Sequence, residues 1–375
     1  MGGALQAYAR APDPAHDDEA GAGPRPLAHA GPRPVFLHGM WRSGTTFVWS
    51  RFRAAEGVTA YFEPLGPALA RLTPRRIGRE GWRDAMARSR HPLMDQPYFA
   101  EYEPLMRGRG VRLYHRSFAA DHFARLRDER DPDLEAYIAS LLTHAWAEGH
   151  TPVLGFVLTG LRMARLRAAF GAYDVHIDRD SLAIWASYRR HAAEGTYNFF
   201  AGLFLILERN AAHPLFAPLA ERFELRRGLE KMIKPRRFYR RTIDSLAPAE
   251  SYGLVFWFWL LNLLHAASHA DLILDMSLAD EPGYAHGLEV QLRRECGLEV
   301  SFEGLQAVRQ PRLPPLFDRS AAEADVLDRL PLEAAAAFFD AARVRARLGE
   351  LAPAKAEILA RVLERVEGNP KVTGD

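Results

Sequence analysis

The chain of 375 residues carries 49 basic and 47 acidic side chains, a formal charge of +2. That near-balance gives no field for general binding to nucleic acid or another polyanion. The single cysteine, Cys296, excludes an internal disulfide and argues against a stapled secreted domain. It reads as a buried residue at a helix end.

Residues 1–33 mix Asp17, Asp18 and Glu19 with scattered Pro, Gly and Ala. They contain no apolar signal-peptide core, and a disordered tail is expected. The rest, 34–375, reads as one α/β domain with helical insertions at about 66–150 and 192–250. Apolar residues at 35–38 predict a strand ending in Gly39. A turn follows, and Thr45 and Thr46 open an amphipathic helix running to about 55. Strand, glycine-bounded loop and helix together make an anion cradle, because loop amides and the positive helix end converge on one point. Against the nucleotide-triphosphate loop pattern G-x-x-x-x-G-K-[ST], Gly39, Gly44 and Thr46 fit, but Thr45 replaces the lysine. A γ-phosphoryl site normally needs that lysine together with Mg²⁺. Here the cation is Arg42, inside the turn, which suits a transferred group of lower charge such as sulfuryl.

A second short strand is predicted at 58–62, stopped by Pro64, with Glu63 at its carboxyl end, where ligands bind in open α/β sheets. A carboxylate there, among Tyr61, Phe62 and Pro64, suits a general base with a raised pKa. A structural pairing with an arginine is its other role. His115 is the rival base. After the first insertion, with turns at Pro74, Gly81, Pro92, Pro104 and Gly108, a strand is predicted at 152–157, then a helix through Arg162, Arg165 and Arg167. The alternation at 173–178 predicts another strand, followed by Arg179, Asp180 and a helix at 182–191 capped by Ser181. Ser187 lies about two turns into that helix, a placement from which Arg179 and Ser187 can address one phosphate together. An ion pair of Arg179 with Asp178 or Asp180 is the alternative.

The second insertion holds the aromatics Tyr197, Phe199 and Phe200, which suit an acceptor pocket or the core. It also holds a basic cluster, Lys231, Lys234, Arg236, Arg237, Arg240 and Arg241, read as solvated helix charge. An apolar helix at 252–268, too short in its apolar stretch (253–264) to span a bilayer, leads to a strand at 271–276. A helix at 283–296, a Pro-rich loop at 311–315 and two C-terminal helices complete the chain. Five strands separated by helices argue for a parallel sheet of the P-loop-NTPase type, flanked by helices.

The run Arg42, Ser43, Gly44, Thr45, Thr46 resembles the 5′-phosphosulfate loop of sulfotransferases that use 3′-phosphoadenosine-5′-phosphosulfate (PAPS). The arginine makes it look like the carbohydrate and tyrosylprotein branch, and the Ala and Arg usage suggests a bacterial member. In that family an arginine at a strand end and a serine eight positions on hold the 3′-phosphate, the separation of Arg179 and Ser187. Phe62, Glu63 and Pro64 resemble a segment of the carbohydrate branch. In the tyrosylprotein branch a glutamate 21 residues after the loop arginine is the base, as Glu63 is placed here. The resemblance implies PAPS as donor and no metal. It implies Arg42 through Thr46, Arg179 and Ser187 as donor ligands, Arg42 and Glu63 as catalytic groups, and a glycan or small-metabolite hydroxyl as acceptor. A cytoplasmic enzyme without a membrane span is expected. Two features depart from the family. The strand before Arg179 lacks a lysine, with Arg162 the nearest substitute, and the late cofactor-covering loop has only Arg309 and Arg312 as candidates. A kinase-like phosphotransferase and a catalytically degenerate nucleotide-binding scaffold are the alternatives.

Overall fold

The computed structural model describes residues 31–78, 83, 94–106, 108–157, 159–223, 235–307 and 316–369. The expected tail up to residue 30, the turns at Gly81 and Pro92, Lys231, Lys234, the side chain of Arg236, and the loop with Arg309 and Arg312 lie outside the described residues.

Five parallel strands form one sheet: β1 (Val35–Gly39), β2 (Val58–Phe62), β3 (Thr151–Gly155), β4 (Tyr173–Asp178) and β5 (Leu272–Asp275), in the order β2-β3-β1-β4-β5. The labelled helices are α1 (Thr45–Arg53), α2 (Pro132–Ala147), α3 (Met163–Phe170), α4 (Ser181–Ala193), α5 (Asn198–Arg209), α6 (Pro248–His269), α7 (Tyr284–Cys296) and α8 (Pro353–Glu367). The fold is α/β with a parallel sheet flanked by helices, as the strand pattern predicts. Both faces of the sheet are covered, which is why these strands read as short, nearly continuous apolar runs. Val35, Leu37, Val175 and Ile177 pack with Val48, Trp49 and Phe52 of α1 and with Leu288 and Leu292 of α7. Phe36 and Leu154 face the other way, onto Tyr137, Ile138 and Leu141 of α2.

Several boundaries differ from the expectation. The third strand ends at Gly155 rather than 157. Among the described residues the insertion at 66–150 holds 3₁₀ turns at Pro67–Arg71, Ala100–Leu105 and Arg116–Ala119, a short helix at Pro74–Ile77, and α2 as its one long helix. Pro67 and Pro74 open their short helices, and Pro104 lies inside the Ala100–Leu105 turn. The C-terminus holds Arg319–Arg329, Leu332–Ala336, Ala341–Ala346 and α8 rather than two helices. Asp180, not Ser181, caps α4, accepting from the Ala183 amide at 3.0 Å. Ser181 instead bonds the Tyr252 hydroxyl at 2.9 Å. Cys296 ends α7 as expected but is only partly buried.

The 22-residue helix α6 is buried along almost its whole length. Among the described residues no helix is long and apolar enough to cross a membrane. Its apolar surface is spent on covering the sheet and anchoring the surrounding helices.

Strand order also marks the position where open α/β sheets usually bind ligands. From β1 the chain crosses through α1 to β2, on one side; from β4 it goes on to β5, on the other. Neighbouring strands whose connections part in this way leave a crevice beyond their carboxyl ends, the usual ligand position in open α/β sheets. Gly39 pairs with Ile177, so the loop after β1 and the turn holding Arg179 are level at that crevice.

Candidate functional site

The loop after β1 is tight because its residues allow no other path. Ser43 N–H donates to the Met40 carbonyl at 3.2 Å, and the Ser43 hydroxyl donates to the same oxygen at 2.8 Å. The Ser43 hydroxyl therefore closes the turn from inside, buried. Gly44 has φ 106° and stands at the N-cap of α1, where no side chain bonds the first-turn amides. A β-carbon there would lie 3.2 Å from Met276 sulfur in a backbone region that glycine alone occupies freely. Thr45 is buried and Thr46 is partly exposed at the first turn of α1.

Gly39 is more constrained still. A β-carbon would lie 2.7 Å from Thr45 Cγ2, 2.8 Å from the Ile177 carbonyl oxygen and 2.8 Å from Ser43 Oγ. Gly39→Ala is therefore expected to destabilise the fold by about 1–3 kcal/mol through overpacking. Urea denaturation checks this; an unchanged midpoint would show that the loop is looser than described.

The two anchors inferred from sequence meet directly. Arg42 Nε donates to Ser187 Oγ at 3.0 Å, and Arg179 Nη1 donates to the Arg42 carbonyl at 3.0 Å. Arg179 has not paired with its neighbouring carboxylates. Asp178 is engaged by Lys355, and Asp180 accepts from Arg319 at 3.1 Å as well as capping α4. Arg179 Nε is buried and has no hydrogen-bond partner among the described residues. Burial first, and then the adjacent Arg42 charge, lower the Arg179 guanidinium to about 10. Two adjacent cations, one with a buried donor unsatisfied among the described residues, make an arrangement that an anion would complement.

Glu63 sits at the end of β2, its amide donating to the Gly155 carbonyl at 3.0 Å. It makes no ion pair among the described residues, which disfavours the purely structural role. Burial pushes its carboxyl up to about 7. Arg42, with φ 69°, and Glu63, with φ 43°, are two of the four described non-glycine residues in the left-handed region. That backbone conformation costs of order 1 kcal/mol or more, and it concentrates where side chains must be aimed.

Tyr98 joins these two groups and was not foreseen from sequence. Its ring stacks on Phe62, next to Glu63, with centroids 4.6 Å apart. Burial first raises the Tyr98 phenol, Glu63 charge raises it further, and Arg42 opposes both. The phenol thus stands within electrostatic reach of Glu63 and of Arg42. No local pattern around Pro97, Tyr98 and Phe99 marks this, because the contact spans more than thirty residues of sequence.

Other candidates fall elsewhere. His115 is exposed, with its ring 5.4 Å from Phe118. Arg162 is buried and donates to the Thr159 and Phe118 carbonyls, both at 3.0 Å. It braces a loop rather than standing in for a strand lysine. Phe199 divides its roles: it stacks on Tyr188 at 5.0 Å, while the Arg42 guanidinium lies 5.8 Å from its centroid. In the basic cluster, Arg237 is exposed, and Arg240 lies over Tyr197 and 3.5 Å from Asp244. No group of three or more His, Cys, Asp or Glu placed to hold a metal occurs among the described residues.

No protein-family model matches the chain, and no curated protein matches it.

Proposed function

We propose that this protein transfers a sulfuryl group from PAPS to a hydroxyl of a glycan or small-metabolite acceptor, in the cytoplasm. The observation that carries the proposal is the junction of Arg42, Arg179 and Ser187, with no carboxylate paired to Arg179 among the described residues. Arg179 and Ser187 would hold the 3′-phosphate, while the Gly44–Thr46 amides, the Thr46 hydroxyl and Arg42 would hold the 5′-phosphosulfate. The donor would thus be fixed at two points, holding sulfur in attack geometry.

In the reaction the acceptor oxygen forms a bond to sulfur as the bridging S–O bond breaks. Its electron pair leaves with adenosine 3′,5′-bisphosphate, and the acceptor proton passes to the Glu63 carboxylate. Charge on the sulfuryl oxygens is met by Arg42 and by the loop amides at the N-terminus of α1. Tyr98, within electrostatic reach of Glu63 and Arg42, would orient the acceptor oxygen.

A kinase-like reaction needs a cation where Thr45 stands, and Thr45 is buried. The absence of a lysine from β3, with Arg162 engaged elsewhere, favours a scaffold that binds nucleotide without turnover. Thermal unfolding with adenosine 3′,5′-bisphosphate in EDTA, against Mg·ATP, separates the first two possibilities. Stabilisation by the bisphosphate without metal is expected; stabilisation by Mg·ATP alone would remove the sulfuryl proposal. Turnover assayed with PAPS against an acceptor panel decides the third.

A further inference from the structure

Beyond the carboxyl ends of β4 and β5 lies a buried ion cluster that the proposed chemistry does not use. Asp178 ends β4 and Asp275 ends β5, and the two are register partners. They are 3% and 0% exposed, and Lys355, from the first turn of α8, is 3% exposed. Lys355 Nζ donates to Asp178 Oδ2 and, at 2.5 Å, to Asp275 Oδ1. The remaining oxygens are also taken. Trp259 Nε1 donates to Asp178 Oδ1 at 3.0 Å, and the Ala352 amide donates to Asp275 Oδ2 at 3.0 Å. The same Trp259 N–H reaches the Arg179 carbonyl at 3.0 Å. The groups facing Asp178 are therefore Lys355 from α8, Asp275 from β5, His176 from its own strand at 3.9 Å, and Tyr284 from α7.

Two buried carboxylates on adjacent strand ends repel unless a cation lies between them. Lys355 is that cation, contributed from 177 residues further along the chain. Without it, one aspartate must take a proton or the strand ends must part. Arg179 follows Asp178 directly and shares its indole donor, so any shift there reaches the guanidinium. We infer that Lys355 is a positioning residue for the nucleotide site, holding the ends of β4 and β5 so that Arg179 points at the Arg42 loop. The inference rests on the donor-pocket proposal only for its functional consequence. Helix α8 is then part of the site's scaffold.

The experiment has one readout without ligand and one with it. Arginine side-chain ¹⁵N–¹H resonances are recorded for the full chain, the Arg179 signal being assigned by its loss in R179A. Calorimetry measures binding of adenosine 3′,5′-bisphosphate. In K355M the Arg179 signal is expected to shift and broaden, and affinity to fall roughly tenfold or more. K355R should retain most of the affinity. If K355M does not fold, D178N/K355M restores the cluster's net charge while still lacking the tether. Its Arg179 signal should stay displaced. A wild-type Arg179 signal in either folded variant overturns the inference, whether or not the nucleotide binds. A displaced signal in a protein that never binds the bisphosphate would support the positioning role and remove the donor-pocket proposal instead.

Discussion

Arg179→Ala is expected to weaken binding of adenosine 3′,5′-bisphosphate by about 3 kcal/mol, on the order of a hundredfold in Kd. The size follows from what the residue does in the unliganded protein. Its Nε is buried without a partner among the described residues, and its neighbours Asp178 and Asp180 are committed to Lys355 and Arg319. An anion arriving there gains charge-assisted hydrogen bonds from a group already desolvated and already oriented. Stability should change far less than affinity, because the one hydrogen bond lost is to the Arg42 carbonyl. Removing one of two adjacent cations also relieves repulsion, so a small gain in melting temperature is the expected sign. Calorimetry and thermal unfolding on the same preparation separate the two quantities. Equal losses of affinity and stability would make Arg179 a structural residue.

Glu63→Gln should lower turnover roughly a hundred- to ten-thousandfold, the usual range for losing a general base, while donor affinity stays near that of the parent. Only the ionised carboxylate accepts the proton, so kcat of the parent should rise with pH through about 7. Stability should move in the opposite direction. Burial lifts the folded-state value from 4.5 to about 7, so the native protein holds its proton more tightly than the unfolded chain does. Stability due to this group is full below about 4.5 and is lost as pH rises to about 7, by about 3 kcal/mol at most. The glutamine variant lacks that slope. It should be inactive and yet more stable than the parent at pH 8, the pattern of a group placed for chemistry at a cost in stability. Parent-like turnover in E63Q would exclude Glu63 as the base.

Much of the frame was legible in the sequence because local chemistry decides it. Runs such as Val35, Phe36 and Leu37 admit few structures other than a buried strand. Gly39 and Gly44 mark the loop, because any side chain there meets Ser43, Thr45 or Met276. Arg179 and Ser187 each bond Arg42, because a strand end and the second turn of its following helix are rigidly linked. What was hidden depends on packing between distant segments. Tyr98 reaches the site through its ring contact with Phe62, and Lys355 through an ion pair that spans half the chain. The Ser43 hydroxyl turns inward onto Met40, and Arg162 braces Phe118 and Thr159. A side chain's type states what it offers, and the partner that uses it is set by the tertiary structure. The left-handed backbones of Arg42 and Glu63 are in the same class, since neither residue type favours that conformation.

The central claim is that one adenosine bisphosphate bridges the β1 loop and the end of β4 without metal. Its most direct test is calorimetry in EDTA of the parent and R179A, each with adenosine 3′,5′-bisphosphate and with adenosine 5′-monophosphate. The parent should prefer the bisphosphate by on the order of a hundredfold, and R179A should lose that preference while binding the monophosphate like the parent. A parent protein that binds the two nucleotides equally, or needs Mg²⁺ to bind either, would contradict the account.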